Sequence, residues 1–95
     1  ADAAELMHAF THSHPQMGDG FRLLAQAEDA LGNHAASHEA TAELYALRDE
    51  YHSAIDQLNL ARRVKTNDFY RTSRIEARLA QLQQLEQQQK LDMME

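Results

Sequence analysis

Large apolar residues recur along this chain at steps of three and four: Phe21, Leu24 and Leu31, then Tyr51, Ile55 and Leu58, then Ile75, Leu79 and Leu82. That spacing returns to one face of an α-helix, not to one side of a strand. Short polar turns separate the runs at an even beat, with Pro15, Gly32, Asp49 and Thr66 standing 17 residues apart. The pattern predicts five helices, over about 2–13, 19–31, 34–48, 51–64 and 68–88, each with one face to bury. Asp19 and Asn33 are placed to accept hydrogen bonds from the free N–H groups of two helix starts, and Thr66, Asn67 and Asp68 offer three candidates at a third. Gly32 suits the left-handed residue that ends the second helix.

The apolar pattern also repeats over two beats. Phe21 matches Ile55, Leu24 matches Leu58, Ala27 matches Ala61, Phe10 matches Leu44 and Tyr45 matches Leu79, so large stays large and small stays small. A unit of about 34 residues made of two antiparallel helices has the tetratricopeptide period. The predicted fold is therefore all-α: tetratricopeptide-like antiparallel hairpins, about five helices, forming a right-handed α-α superhelix. The first helix, with Ala3, Met7, Phe10 and Pro15, reads as the second half of a repeat whose first half lies upstream. The chain is thus expected to be an excised fragment with a repeat domain over 1–86. Beyond Leu85 the apolar pattern dissolves into Glu86, Gln87, Gln88, Gln89 and Lys90, so residues 87–95 are expected to be a polar tail that frays.

Composition narrows the function. Of 95 residues 43% are hydrophobic, but many are alanine, which lets helices approach closely and adds little apolar area. One Val, two Ile and no alternating run leave little strand signal. No Cys is present, so disulfides and thiolate metal sites are excluded and the redox compartment stays open. No stretch has the length and apolarity of a membrane-spanning helix, and no basic start followed by an apolar run marks a signal peptide. A net charge of -6 disfavours nucleic-acid partners. The charge is uneven: residues 1–50 carry nine acids against Arg22 and Arg48, whereas residues 62–78 carry six bases against Asp68 and Glu76.

Those bases form the main candidate constellation. Arg71, Arg74 and Arg78 share one helix face, with Arg62, Arg63 and Lys65 just before the preceding turn. Like charges four apart repel, so Arg74 and Arg78 are not there for the helix alone. The six are candidate partner-binding residues for an acidic protein surface, set against a solvated face whose Arg stems cover apolar surface. Tyr45, Tyr51, Phe69 and Tyr70 could line a peptide groove, but most are assigned to the core, since the first two occupy repeat packing positions.

Catalytic chemistry is not expected. A metallopeptidase helix needs two His four apart with a Glu beside the first, and here His38-Glu39 is followed by Ala42. His8 with His12, and His34 with His38, could each chelate weakly from one face, but zinc sites want three or four protein ligands. They are read as surface or packing residues, with no metal site assigned. Ser13, Ser37, Ser53 and Ser73 lack a nucleophile motif and go to caps or surface. The three Gly follow neither a strand nor a phosphate-loop Lys, so no cofactor is assigned.

The segment Ala42 to Ala61, with Ala42, Tyr45, Tyr51, Ala54, Leu58 and Ala61, resembles the tetratricopeptide consensus. Asp49 stands where that consensus usually has Gly, and Glu28 where it usually has an aromatic. More specifically, LLAQAEDALGNHAASHEATAELYALRDEYHSAIDQLNLARR followed by DFYRTSRIEARLAQL is similar to the C-terminal repeat domain of periplasmic HExxH zinc metallopeptidases of the β-barrel assembly-enhancing protease group. The block Asp68-Phe69-Tyr70 with Ser73 to Leu79 is its most distinctive part. The resemblance implies a periplasmic, non-catalytic protein-binding unit in outer-membrane protein quality control. It would contact assembly machinery, substrates or the parent protease domain, with zinc held only in that separate domain. The alternative is a cytosolic tetratricopeptide scaffold or co-chaperone that clamps a carboxylate tail. Such a clamp wants bases on the first helix of successive repeats, and residues 1–50 have two. A coiled-coil arm built on Leu79, Leu82 and Leu85 ranks last, because the heptads do not persist.

Overall fold

The computed structural model describes residues 2–94. It is all-α, with α1 at Ala3–Ser13, α2 at Gly18–Ala30, α3 at His34–Leu47, α4 at Tyr51–Arg63 and α5 at Phe69–Met93. Each helix packs against the next in sequence, so the chain is a run of antiparallel hairpins. The result is a slab of 49 × 29 × 18 Å. Among the described residues there is no strand, and no helix is long and apolar enough to cross a membrane.

Two of the four turns on the 17-residue beat close in the same way. At the α2–α3 turn the Gly32 N–H reaches the Asp29 carbonyl at 3.0 Å and the Asn33 N–H reaches Glu28 at 2.9 Å. At the α3–α4 turn Asp49 N–H reaches Ala46 and Glu50 N–H reaches Tyr45, both at 3.0 Å. These are the paired hydrogen bonds that close a helix through a left-handed residue. Gly32 takes that conformation with φ 80°, as predicted, and Asp49 takes it with φ 59°.

The other helix ends depart in part from expectation. Asp68 caps α5, its carboxylate accepting the Arg71 N–H at 3.2 Å, and the Thr66 hydroxyl accepts the Asp68 N–H at 3.0 Å. Asp19 does not cap α2, because the helix begins one residue earlier, after Met17. It sits in the first turn and pairs with Arg22 at 3.1 Å. Asn33 stands at the start of α3, but its side chain turns back to donate to Glu28.

Most of the core lies among α3, α4 and α5: Ala35 and Ala42, then Ala54, Ile55, Leu58 and Ala61, then Ile75, Leu79 and Leu82. Tyr45 and Tyr51 pack against it, half-buried. A smaller cluster of Leu24, Ala25 and Ala40, with Met7 beside it, joins α1 and α2 to α3. Here α1 and α2 approach so closely that a methyl group on Gly20 would come within 2.7 Å of the Phe10 ring. Leu31, expected on the buried stripe, is exposed at the end of α2.

The last helix does not end near residue 88. It runs to Met93, held by Glu86 with Lys90 at 3.9 Å and Gln88 with Asp92 at 2.9 Å. The Gln89 side chain also donates to the Asp49 carbonyl at 2.9 Å, tying the far end of α5 to the α3–α4 turn.

Candidate protein-interaction surface

Because consecutive helices run antiparallel in a shallow stack, α1, α3 and α5 leave a groove across the molecule. Its volume is about 450 Å³. Phe21, Leu24, Ala36, Ala40 and Leu58 give it an apolar floor, and His8, Thr11, Glu39, Glu43, Arg74 and Arg78 supply its polar edge. An apolar floor with a few polar groups is the usual form of a site that accepts another chain.

The polar edge has a defined geometry. Arg74 donates to both carboxylate oxygens of Glu39, at 2.8 and 3.0 Å, and Arg78 to both of Glu43, at 2.8 and 2.9 Å. Both pairs are spaced four apart on their helices, so they form two rungs of one ladder between α3 and α5. This explains the like charges at Arg74 and Arg78: each answers a carboxylate across the gap. The two-pronged hydrogen bond to Glu39 holds the Arg74 guanidinium above its usual pKa, against the opposing effect of partial burial. Arg78 also donates to Gln81 at 3.1 Å.

The structure thus divides the six candidate bases. Arg74 and Arg78 lie on the groove, matched by carboxylates. Arg62, Arg63, Lys65 and Arg71 gather at the α4–α5 corner, where only Arg62 meets a carboxylate among the described residues, that of Glu76 at 3.9 Å. Arg71 has its Nε shut away from water without a hydrogen-bond partner. Next to them Phe69 and Tyr70, two of the four aromatics weighed between a peptide groove and the core, stand 75% and 82% exposed. They are exposed because they occupy the first turn of α5, ahead of its first core residue, Ile75.

Other chemistry is dispersed. His8 reaches Glu28 at 3.2 Å, His34 reaches Asp29 at 2.9 Å and His38 reaches Gln57 at 2.8 Å, so these rings serve contacts between elements. His14 stacks on Phe10 with centroids 4.5 Å apart. Among the described residues no three His, Cys, Asp or Glu side chains come together to hold a metal ion. The donors among the described residues do not fit the zinc centre of a metallopeptidase. Ser37 donates to the Ala25 carbonyl at 2.9 Å, fastening α3 to α2.

Two features escaped the sequence. Glu28 is buried, 5% exposed, and its two carboxylate oxygens meet His8 at 3.2 Å and Asn33 at 3.0 Å. The only signal was its place on a repeat packing position that usually holds an aromatic. The partners Glu39 and Glu43 were also missed. Their separation of 35 residues from Arg74 and Arg78, one more than the repeat, is a signal available in the sequence.

No protein-family profile matches the chain. Over 86 residues, 90% of its length, it is 35% identical to the "Beta-barrel assembly-enhancing protease" of Escherichia coli strain K12, and equally to that of Shigella flexneri. Over 81 residues, 85% of its length, it is 31% identical to the "Putative beta-barrel assembly-enhancing protease" of Vibrio cholerae serotype O1. The chain spans only 18% of the length of the first two and 17% of the third. Nearly all of this chain is therefore similar to one short portion of proteins named β-barrel assembly-enhancing proteases.

Proposed function

We propose that this chain is a non-catalytic protein-interaction unit, the C-terminal tetratricopeptide-like repeat domain of a periplasmic zinc metalloprotease that acts in outer-membrane protein assembly and quality control. The observation that carries the reading is the open groove across α1, α3 and α5, with its apolar floor and fixed Arg–Glu edge. It can take a peptide or helix from another chain without any reacting group. The similarity to the named proteases supplies the setting. On this reading the repeat domain covers 1–86 with a polar extension after it, and zinc belongs to a different part of the longer protein.

The test removes these 95 residues from the full-length parent and compares two activities. Cleavage of a short unfolded peptide should persist, while association with outer-membrane assembly partners and removal of stalled β-barrel substrates should fail. Loss of peptide cleavage by a correctly folded remainder would show that the segment contributes to catalysis. Absence of an HExxH helix elsewhere in the parent would remove the protease setting and leave only the interaction unit.

A further inference from the structure

The α4–α5 corner is built against the interests of its own helix. Phe69, Tyr70 and Arg71 fill the first three positions of α5. A helix start favours small caps and acidic residues, because its N–H groups and dipole present positive charge. The cap is present in Asp68, yet the next three positions carry two exposed aromatic rings and a cation. The rings sit edge to face, with centroids 6.4 Å apart at 72°. They contribute nothing to either core cluster.

Charge points the same way. Arg62 and Arg63 end α4, where the helix dipole favours a cation. Lys65 in the linker and Arg71 at the start of α5 have no such reason. Of the nearby acids, Asp68 is committed to its cap and Glu76 leans towards Arg62. Arg63, Lys65 and Arg71 therefore have no carboxylate partner among the described residues. The corner is held in shape by local hydrogen bonds from Asp68 to Thr66 and from Arg71 to Asp68, and by Val64 packed on the main core. A fixed corner loses little conformational freedom when a partner binds.

We propose that this corner is a docking site for an acidic peptide segment of another protein, one that places an apolar side chain on Phe69 and Tyr70 and carboxylates on Arg63, Lys65 and Arg71. Aromatic residues and arginines carry most of the affinity at protein interfaces. The surplus of positive charge selects the partner's sign and speeds encounter. The inference rests on the reading of the chain as an interaction unit and names the chemistry of one partner.

The experiment is selection from a random-peptide display library on the intact chain, followed by affinity measurement and amide chemical-shift mapping. The expected peptides are rich in Asp and Glu around a large apolar residue, and they shift the amides of residues 63–71. Tyr70→Ala, and independently Tyr70→Ser, should weaken them by at least about tenfold. Arg63→Glu combined with Lys65→Glu should weaken them similarly, and added salt should do so progressively. Both rings and both cations are exposed, so helical content should be unchanged by circular dichroism. Leu6→Ala, on the opposite end of the slab, should have no effect. Peptides without acidic bias, peptides insensitive to these substitutions, or no selected peptide would overturn the proposal. Peptides that shift Phe21 and Leu24 instead would keep the groove reading and discard the corner. Concentration-dependent dimers dissolved by Tyr70→Ala would show that a second copy occupies it, which also overturns it.

Discussion

The two ends of the slab are held together by different means. Around α3, α4 and α5 the interior contains Ile55, Leu58, Ile75, Leu79 and Leu82, all buried. Around α1 and α2 it contains one buried large aliphatic, Leu24, with alanines and the buried polar residues Thr11 and Glu28. Burying each large aliphatic side chain is worth about 1.5–3 kcal/mol. The C-terminal end can rely on apolar burial, whereas the N-terminal hairpin depends on polar contacts that fix geometry more than they stabilise. A stack whose helices pack mainly on their sequence neighbours, with the α3–α5 contacts all at the other end, should therefore open first at α1.

The largest expected effect tests that ordering. Leu58→Ala, at a side chain 2% exposed in the main core, should cost about 3–4 kcal/mol in urea unfolding. It should raise amide exchange in every helix. Leu24→Ala in the smaller cluster should cost about 2–3 kcal/mol, with faster exchange concentrated in α1 and α2. Equal loss of protection in α4 and α5 for both variants would show a single cooperative unit and end the contrast.

The buried carboxylate sharpens it. Glu28→Ala leaves the Asn33 amide and His8 ring without their partner, and should cost about 1–3 kcal/mol. Glu28→Gln keeps the shape and most of the hydrogen bonding, and should cost under about 1 kcal/mol. Chemical shifts of α1 should report both, while those of α5 stay in place. If Glu28→Ala were neutral, the hairpin would be held by Leu24 and Gly20 packing alone.

These two ends were not equally legible. The main core could be read from sequence because Ile55, Leu58, Ile75, Leu79 and Leu82 carry helical spacing, and because the repeat placed alanines opposite them. Glu28 could not, since a carboxylate on a helix is ordinarily exposed and its partners lie in other segments, at His8 and Asn33. Polarity suggested fraying after Leu85, but Gln, Glu and Lys are good helix formers, and α5 continues to Met93. On the surface, repulsion between Arg74 and Arg78 showed that something else held them. The something, Glu39 and Glu43, was readable only from the 35-residue offset of both pairs, a signal that becomes a contact once α3 and α5 are known to face each other. Repeat packing positions accounted for Tyr45 and Tyr51 but not for Phe69 and Tyr70, whose exposure no spacing in the chain decided.

The Arg–Glu ladder between α3 and α5 is a smaller effect within the C-terminal end. A double-mutant cycle with Arg78→Ala and Glu43→Ala should give a coupling of about 0.5–1 kcal/mol, falling with salt. A coupling near zero would make the ladder a feature of the groove's shape and charge, not of its stability.

The smallest net change, at Asp49, comes from comparing the two turns directly. Gly32 and Asp49 occupy the same left-handed position, at φ 80° and 59°. A methyl group on Gly32 would meet nothing within 4 Å, so Gly32→Ala isolates backbone strain and should cost about 1 kcal/mol. Asp49→Gly should relieve the same strain but lose the hydrogen bond that the Tyr51 hydroxyl donates to the Asp49 carboxylate at 3.0 Å. Removing that bond and adding glycine's freedom to the unfolded chain should leave the net change within about 0.5 kcal/mol. The carboxylate accepts from the neutral phenol, and with weaker help from desolvation it raises the Tyr51 pKa above the usual 10.0. A raised folded-state pKa means stability present below the ordinary tyrosine value and lost as pH rises through the higher one. In Asp49→Gly the phenolate absorbance of Tyr51 should therefore titrate at lower pH than in the parent chain. The alkaline loss of stability should shrink with it. An unchanged titration would mean that the left-handed turn at Asp49 holds α3 to α4 without the tyrosine, as Gly32 holds α2 to α3.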